Sequence, residues 1–192
     1  RGRLLEGVPF THAVVKGLAE GGGLFVPQHV PRLSLDEICE LAALPYAQRA
    51  AYIYKRFEID LSDDVVDDLM VQAYGSNFDS DDICPITSFD DGTHVLELWH
   101  GPTSAFKDMA LQCLPLFFST SASVLREQGI IGTTFLILVA TSGDTGKAAL
   151  EGFANKDGVR IGVLYPHGGV SDIQHKQMAT QAGDNVMVWA VR

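Results

Sequence analysis

From Thr133 to the end of the chain, strand-like and helix-like segments alternate with short connections, and few architectures can satisfy that order. Thr133 to Ala140 is rich in β-branched and aliphatic residues, the composition of a strand buried on both faces. The pattern predicts a helix over Thr145 to Asn155, a strand over Val159 to Leu164, a helix over Ser171 to Gln181 and a strand over Asn185 to Ala190. Strand, helix, strand, helix, strand with short links implies right-handed parallel crossovers, so the second half is read as an α/β domain.

The first half reads differently. Residues 1 to about 90 are mainly helical and acidic. Ser34-Leu35-Asp36-Glu37 is a capping box, followed by an apolar stripe of Ile38, Leu41, Ala42 and Leu44 before Pro45. A second helix is expected from Tyr46 to Phe57. A third opens near Ser62, where Asp63 and Asp64 suit the positive end of the helix dipole and Val65, Val66, Leu69, Met70 and Ala73 share a face. These helices read as scaffold. The division predicted is therefore a helical domain over 1–90 and an α/β domain over 91–192. The second of these opens with a strand candidate, His94 to Trp99, and a helix from Lys107 or Asp108 to about Gln128.

Composition removes several functional classes. A net charge of −10 disfavours a nucleic-acid or anionic-membrane surface, since both need clustered Lys and Arg. The longest apolar stretch, Phe135 to Ala140, is too short to span a bilayer, and no apolar leader follows Arg1-Gly2-Arg3, so a cytoplasmic protein is expected. Cys39, Cys84 and Cys113 are far apart, with no metal-ligand spacing; no disulfide framework or metal site is expected, and the thiols are read as core filling. The chain starts on Arg and stops on an apolar strand, as a piece of a longer chain would.

Three loops could carry chemistry. Thr141-Ser142-Gly143-Asp144-Thr145-Gly146 follows a strand and opens a helix, where ligands bind in open parallel sheets. Its glycines allow close backbone approach, the helix start offers free N–H groups, and Ser142 and Thr145 add hydroxyls: a cradle for a carboxylate or phosphate, or else a capped strand-to-helix turn. Gly146-Lys147 is not a P-loop, because Thr141 and Ala148 occupy positions that need Gly and Ser or Thr.

His100 to Asp108 is the second loop. Lys107 sits between Phe106 and Met109 just past Gly101-Pro102-Thr103-Ser104, and is either a solvated lysine or an amine made nucleophilic by partial desolvation. His100 reads more readily as a hydrogen-bonded structural residue than as a base. The third, Tyr165-Pro166-His167-Gly168-Gly169-Val170-Ser171, is a second anion site or a turn capped by Ser171. Gly21-Gly22-Gly23 reads as a turn.

His100 to Asp108 resembles the lysine segment of threonine synthases of the bacterial and fungal form, and Thr141 to Gly146 resembles that family's second signature. Gly22-Gly23-Leu24-Phe25-Val26-Pro27, Tyr165-Pro166, Val170-Ser171 and Lys176-Gln177-Met178 match in order, so the resemblance covers nearly the whole chain. It implies a pyridoxal-phosphate lyase of the tryptophan-synthase-like fold class, with part of a parallel αβα domain. Such enzymes convert O-phospho-L-homoserine and water to L-threonine and phosphate; a monomer is implied.

By the same resemblance Lys107 takes the place of the Schiff-base lysine and catalytic base. Asp144 falls beside the cofactor, while Ser142, Gly143, Thr145, Thr103 and Ser104 fall on the substrate side. The family's loop for the cofactor phosphate and its partner for the pyridine nitrogen lie beyond the stretch matched by residue 192, so these residues alone are expected to be inactive. Lys147, Gly169 and His175 depart from the family's pattern of Ser, Lys or Arg, and Glu. Two other readings share the motifs: a related phospho-lyase releasing a keto acid, and a non-catalytic relative. Intact Lys107 and Ser142 to Thr145 argue against the latter.

Overall fold

The computed structural model describes residues 7–132 and 134–192. Its elements in chain order are α1 (Phe10–Lys16), α2 (Leu35–Ala42), α3 (Tyr46–Arg56), α4 (Asp63–Ala73), β1 (Ile86–Ser88), β2 (His94–Leu96), α5 (Asp108–Leu111), α6 (Leu114–Glu127), β3 (Phe135–Ala140), α7 (Asp144–Phe153), β4 (Val159–Pro166), α8 (Asp172–Ala179) and β5 (Val186–Val191). Thr133, expected to begin the first strand of the α/β part, lies outside the described residues, as do Arg1, Gly2 and Arg3.

Helix starts follow their caps. The Ser34 hydroxyl accepts from the Glu37 N–H at 3.2 Å while the Glu37 carboxylate accepts from the Ser34 N–H at 2.7 Å. Ser171 and Gln174 form the same reciprocal pair at α8. Ser62 accepts from the Val65 N–H to open α4. Each cap satisfies donors that a helix end cannot satisfy itself.

The long helix expected from Lys107 to Gln128 is two helices, α5 and α6, because Pro115 cannot continue one. Proline has no N–H to give the Leu111 carbonyl, and its ring clashes with that carbonyl. The short antiparallel pair of β1 and β2, in register Ile86 with Leu96 and Ser88 with His94, delivers the chain into His100.

β3, β4 and β5 form a parallel sheet in that order. One face carries Phe135, Ile137 and Val139 on β3, Val159, Ile161, Val163 and Tyr165 on β4, and Val186 and Val188 on β5. Leu150, Phe153, Met178 and Phe118 from α7, α8 and α6 cover it. The other face is open: Leu136 and Leu138 are 58% and 59% exposed, and Trp189 is 45% exposed. Among the described residues β3 is therefore covered on one face only. Its apolar composition is that of a two-sided strand, but packed helices cover only one side of it.

A second apolar cluster joins Ala51, Val66, Leu69, Met70, Ala73, Tyr74, Phe78 and Ile83 to Cys113, Leu116 and Phe117. Consecutive residues of α6, Phe117 and Phe118, thus point into different clusters. Cys113 fills core volume as expected, whereas Cys39 is exposed. No described helix is long and apolar enough to cross a membrane.

Candidate active site

Lys107 stands at the N-cap of α5, half-buried, with Nζ 4.5 Å from the centroid of the exposed Phe106 ring. The next residue, Asp108, is wholly buried. Asp108 Oδ2 accepts from the Thr103 N–H and Oδ1 from the Thr103 hydroxyl, both at 2.8 Å. Gly101 packs so tightly there that a Cβ would stand 2.5 Å from Asp108 Cβ. Ser104, exposed, takes a left-handed φ of 56°, which a non-glycine residue holds at a cost of about 1 kcal/mol or more. The Thr103 hydroxyl expected to face substrate is spent on Asp108. Its position in the loop is the expected one; its polar group points inward.

The cradle at the start of α7 is built differently from its sequence reading. Gly143 is the N-cap and gives no side-chain cap. Its φ of 150° is a conformation that L side chains rarely adopt. Instead the Thr141 hydroxyl accepts from the Gly143 N–H at 3.0 Å and the Gly146 N–H at 3.2 Å. That leaves the N–H groups of Asp144 and Thr145 at the helix start with no acceptor inside the helix, beside the Ser142 and Thr145 hydroxyls. Gln174 Nε2 donates to Asp144 Oδ1 at 2.7 Å, and its amide lies directly over the Gly143 backbone. α8 thereby braces the loop.

Each departure from the family pattern has a local partner. Lys147 Nζ is 3.0 Å from Glu151 Oε2 and donates to Gln181 of the segment after α8. His175 Nδ1 lies 2.8 Å from the Tyr165 hydroxyl. A Cβ on Gly169 would stand 2.6 Å from Pro166 Cγ, so a Lys or Arg there would require a different turn.

His100 ties three segments together. Its Nδ1 is 2.5 Å from Asp79 Oδ1 and its Nε2 is 2.7 Å from Glu97 Oε2, while its carbonyl accepts from the Asp79 N–H at 3.0 Å. A ring donating from both nitrogens is the imidazolium. The Glu97 and Asp79 hydrogen bonds raise its pKa. The Thr87 hydroxyl first, and His100 second, hold the Glu97 carboxyl below the usual range.

A raised folded pKa gives stability that is complete below the unfolded imidazole value of about 6.5 and is lost as pH rises through the higher folded value. The melting temperature is expected to fall across that alkaline interval. His100→Gln should flatten the fall; a variant curve parallel to the parent would remove His100 as its cause.

α5 and α7 pack side by side, with Gly152 of α7 against Leu111 and Pro115. Two clefts lie elsewhere, one along Thr134, Lys156, Gly158 and Asn185, the other along Tyr46, Arg49 and Tyr54 of α3 and the Phe57 that follows it; neither includes Lys107 or the Thr141 to Gly146 loop. The donor set fits a cofactor aldehyde together with an anionic amino acid: a half-buried primary amine on a rigid loop, and a helix start with free N–H groups and two hydroxyls. Sequence reasoning missed Asp108, Thr141 and Gln174. Only Thr141, a hydroxyl residue ending a strand before a Gly-rich turn, carries a local signal.

The family description Threonine synthase N terminus matches residues 1–74. A threonine synthase of Pseudomonas aeruginosa is 39% identical over 92% of this chain, and human threonine synthase-like 1 is 36% identical over 95%. The X-ray structure of PLP-bound threonine synthase from Brucella melitensis superposes with a TM-score of 0.85 at 35% identity over 95% of this chain. The chain spans 36%, 24% and 38% of the lengths of those three proteins. Across nearly all of its 192 residues, then, in sequence and in backbone alike, the chain belongs to the threonine synthase family and corresponds to the amino-terminal portion of its members.

Proposed function

We propose that this chain carries the lysine and substrate loop of a pyridoxal-phosphate enzyme that converts O-phospho-L-homoserine and water to L-threonine and phosphate. Two observations carry it: a half-buried Lys107 on a loop locked by Asp108, and free N–H groups at the start of α7, a helix that packs against α5. When bound, the cofactor supplies an electron sink that stabilises negative charge on the substrate carbon chain. Lys107 Nζ would hold it, and as a free amine would take and return protons along that chain.

The Asp144 and Thr145 N–H groups, with the Ser142 and Thr145 hydroxyls and the close backbone at Gly143, hold the substrate carboxylate. The Asp144 side chain, braced by Gln174, faces the cofactor. Ser104 borders the substrate, and Thr103 contributes by fixing the loop. The reading includes a helical domain over 1–90 and an α/β domain over 91–192, with α6 contributing to both clusters, in a cytoplasmic monomer.

Borohydride reduction of the full-length protein loaded with pyridoxal phosphate, followed by peptide mapping, tests this. The adduct is expected on Lys107, and an adduct confined to another lysine would refute the assignment. Product analysis separates threonine from a keto acid. The similarity to threonine synthase-like 1 supports a second reading, a non-catalytic relative that keeps the fold. An adduct without threonine formation would favour it.

A further inference from the structure

Asp108 is a fully buried carboxylate beside the proposed reactive lysine, and it touches neither substrate nor cofactor in the chemistry above. We propose that Asp108 is a positioning residue: by holding the Thr103 N–H and hydroxyl it folds the Gly101 to Asp108 loop back on itself and fixes the direction in which Lys107 leaves α5. Successive helical residues diverge by about 100°, so turning Asp108 fully inward sends Lys107 to the open side of the turn, over Phe106.

Three observations converge on the clasp. Both carboxylate oxygens are engaged by one residue five positions back. Gly101 leaves no room for any side chain against Asp108. Ser104, inside the loop, holds a left-handed backbone that persists only where its surroundings dictate it. Burial pushes the Asp108 carboxyl up, Thr103 opposes that shift, and Glu151 of α7 adds a further upward push. Glu151 is the partner of Lys147, so the clasp lies against the helix that opens with the substrate cradle.

The inference rests on the proposed function only where it concerns turnover, and the test has an arm that needs no cofactor. In full-length apo-protein, the labelling of Lys107 by a small acylating reagent is measured by peptide mapping, with Lys16 and Lys55 as internal references. Asp108→Ala and Thr103→Val are expected to change the Lys107 rate severalfold and leave the references unaltered. Asp108→Asn can accept from the Thr103 N–H and donate to Thr103 Oγ, and Thr103→Ser keeps its hydroxyl, so both should behave as the parent.

In loaded enzyme the first pair should lower kcat by about 10²-fold, the scale of an ångström-level misplacement, with KM little changed, and should shift the pH profile of kcat. Parent-like Lys107 labelling in Asp108→Ala and Thr103→Val overturns the proposal. So does failure of Asp108→Asn alongside Asp108→Ala, which would make charge rather than geometry the cause. A parent protein that forms no adduct at Lys107 refutes the functional reading instead, and the labelling arm still decides this one.

Discussion

Lys107→Ala in the full-length protein is expected to lower kcat for threonine formation by on the order of 10²–10⁴-fold, the usual worth of a positioned proton-transfer group. The loss has two parts, because the same Nζ holds the cofactor and moves substrate protons. They separate experimentally: a small primary amine in solution can replace the proton-transfer role but cannot restore the tether. Partial rescue by methylamine, with rates rising in proportion to the free-base concentration, is the expected signature. Lys147→Ala is the control, since its ammonium is tied to Glu151 and Gln181 on the side of α7. A Lys107→Ala enzyme within tenfold of the parent would remove Lys107 from the chemistry.

That prediction draws on a motif visible in the sequence, and so do the elements around it whose causes are local. Ser34 with Glu37, Ser62 and Ser171 announce helix starts because a cap acts over three residues. The β-branched runs of β3 and β4 announce strands for the same reason. Where causes are distant, local patterns fail. His100 is clamped by Asp79, twenty-one residues earlier in sequence, which no periodicity reveals. Asp108 could face inward or outward by pattern alone, and only the folded loop shows Thr103 beneath it. α1 follows Pro9, which gives no side-chain cap, and is seven residues long, too short for helical spacing to stand out.

β3 shows a second kind of distant cause. Its composition is that of a strand covered on both sides, yet coverage is set by which packed helices lie on the sheet, and here α6, α7 and α8 cover one face. Strand identity is therefore local information and strand burial is not. The break at Pro115 was legible in principle, since proline forbids the bond to Leu111, but a proline in the first turn of a helix is also well tolerated. Both facts hold at once: α5 ends at Leu111, and α6 starts at Leu114 with Pro115 in its first turn.

That break sets up the largest stability effect expected outside the reactive loop. Pro115 frees the Leu111 carbonyl from its helical partner, and α7 closes on that point through Gly152. A Cβ at 152 would overlap the Leu111 oxygen and stand 2.8 Å from Pro115 Cγ, both on the stretch that follows Lys107. Two effects then compete in Gly152→Ala. Helix propensity favours alanine by about 0.5–1 kcal/mol, whereas forcing atoms into a packed contact costs about 1–3 kcal/mol. Backbone cannot swing away as a flexible side chain could, so the contact wins and the variant should be destabilised, with Gly152→Val worse. Equilibrium unfolding of the two variants against the parent reads the sign directly. Because α7 can relieve the overlap only by pushing α5 away, Lys107 should move with it, and turnover should fall more than the loss of folded protein explains. A Gly152→Ala protein more stable than the parent would mean that α5 and α7 do not meet backbone to backbone.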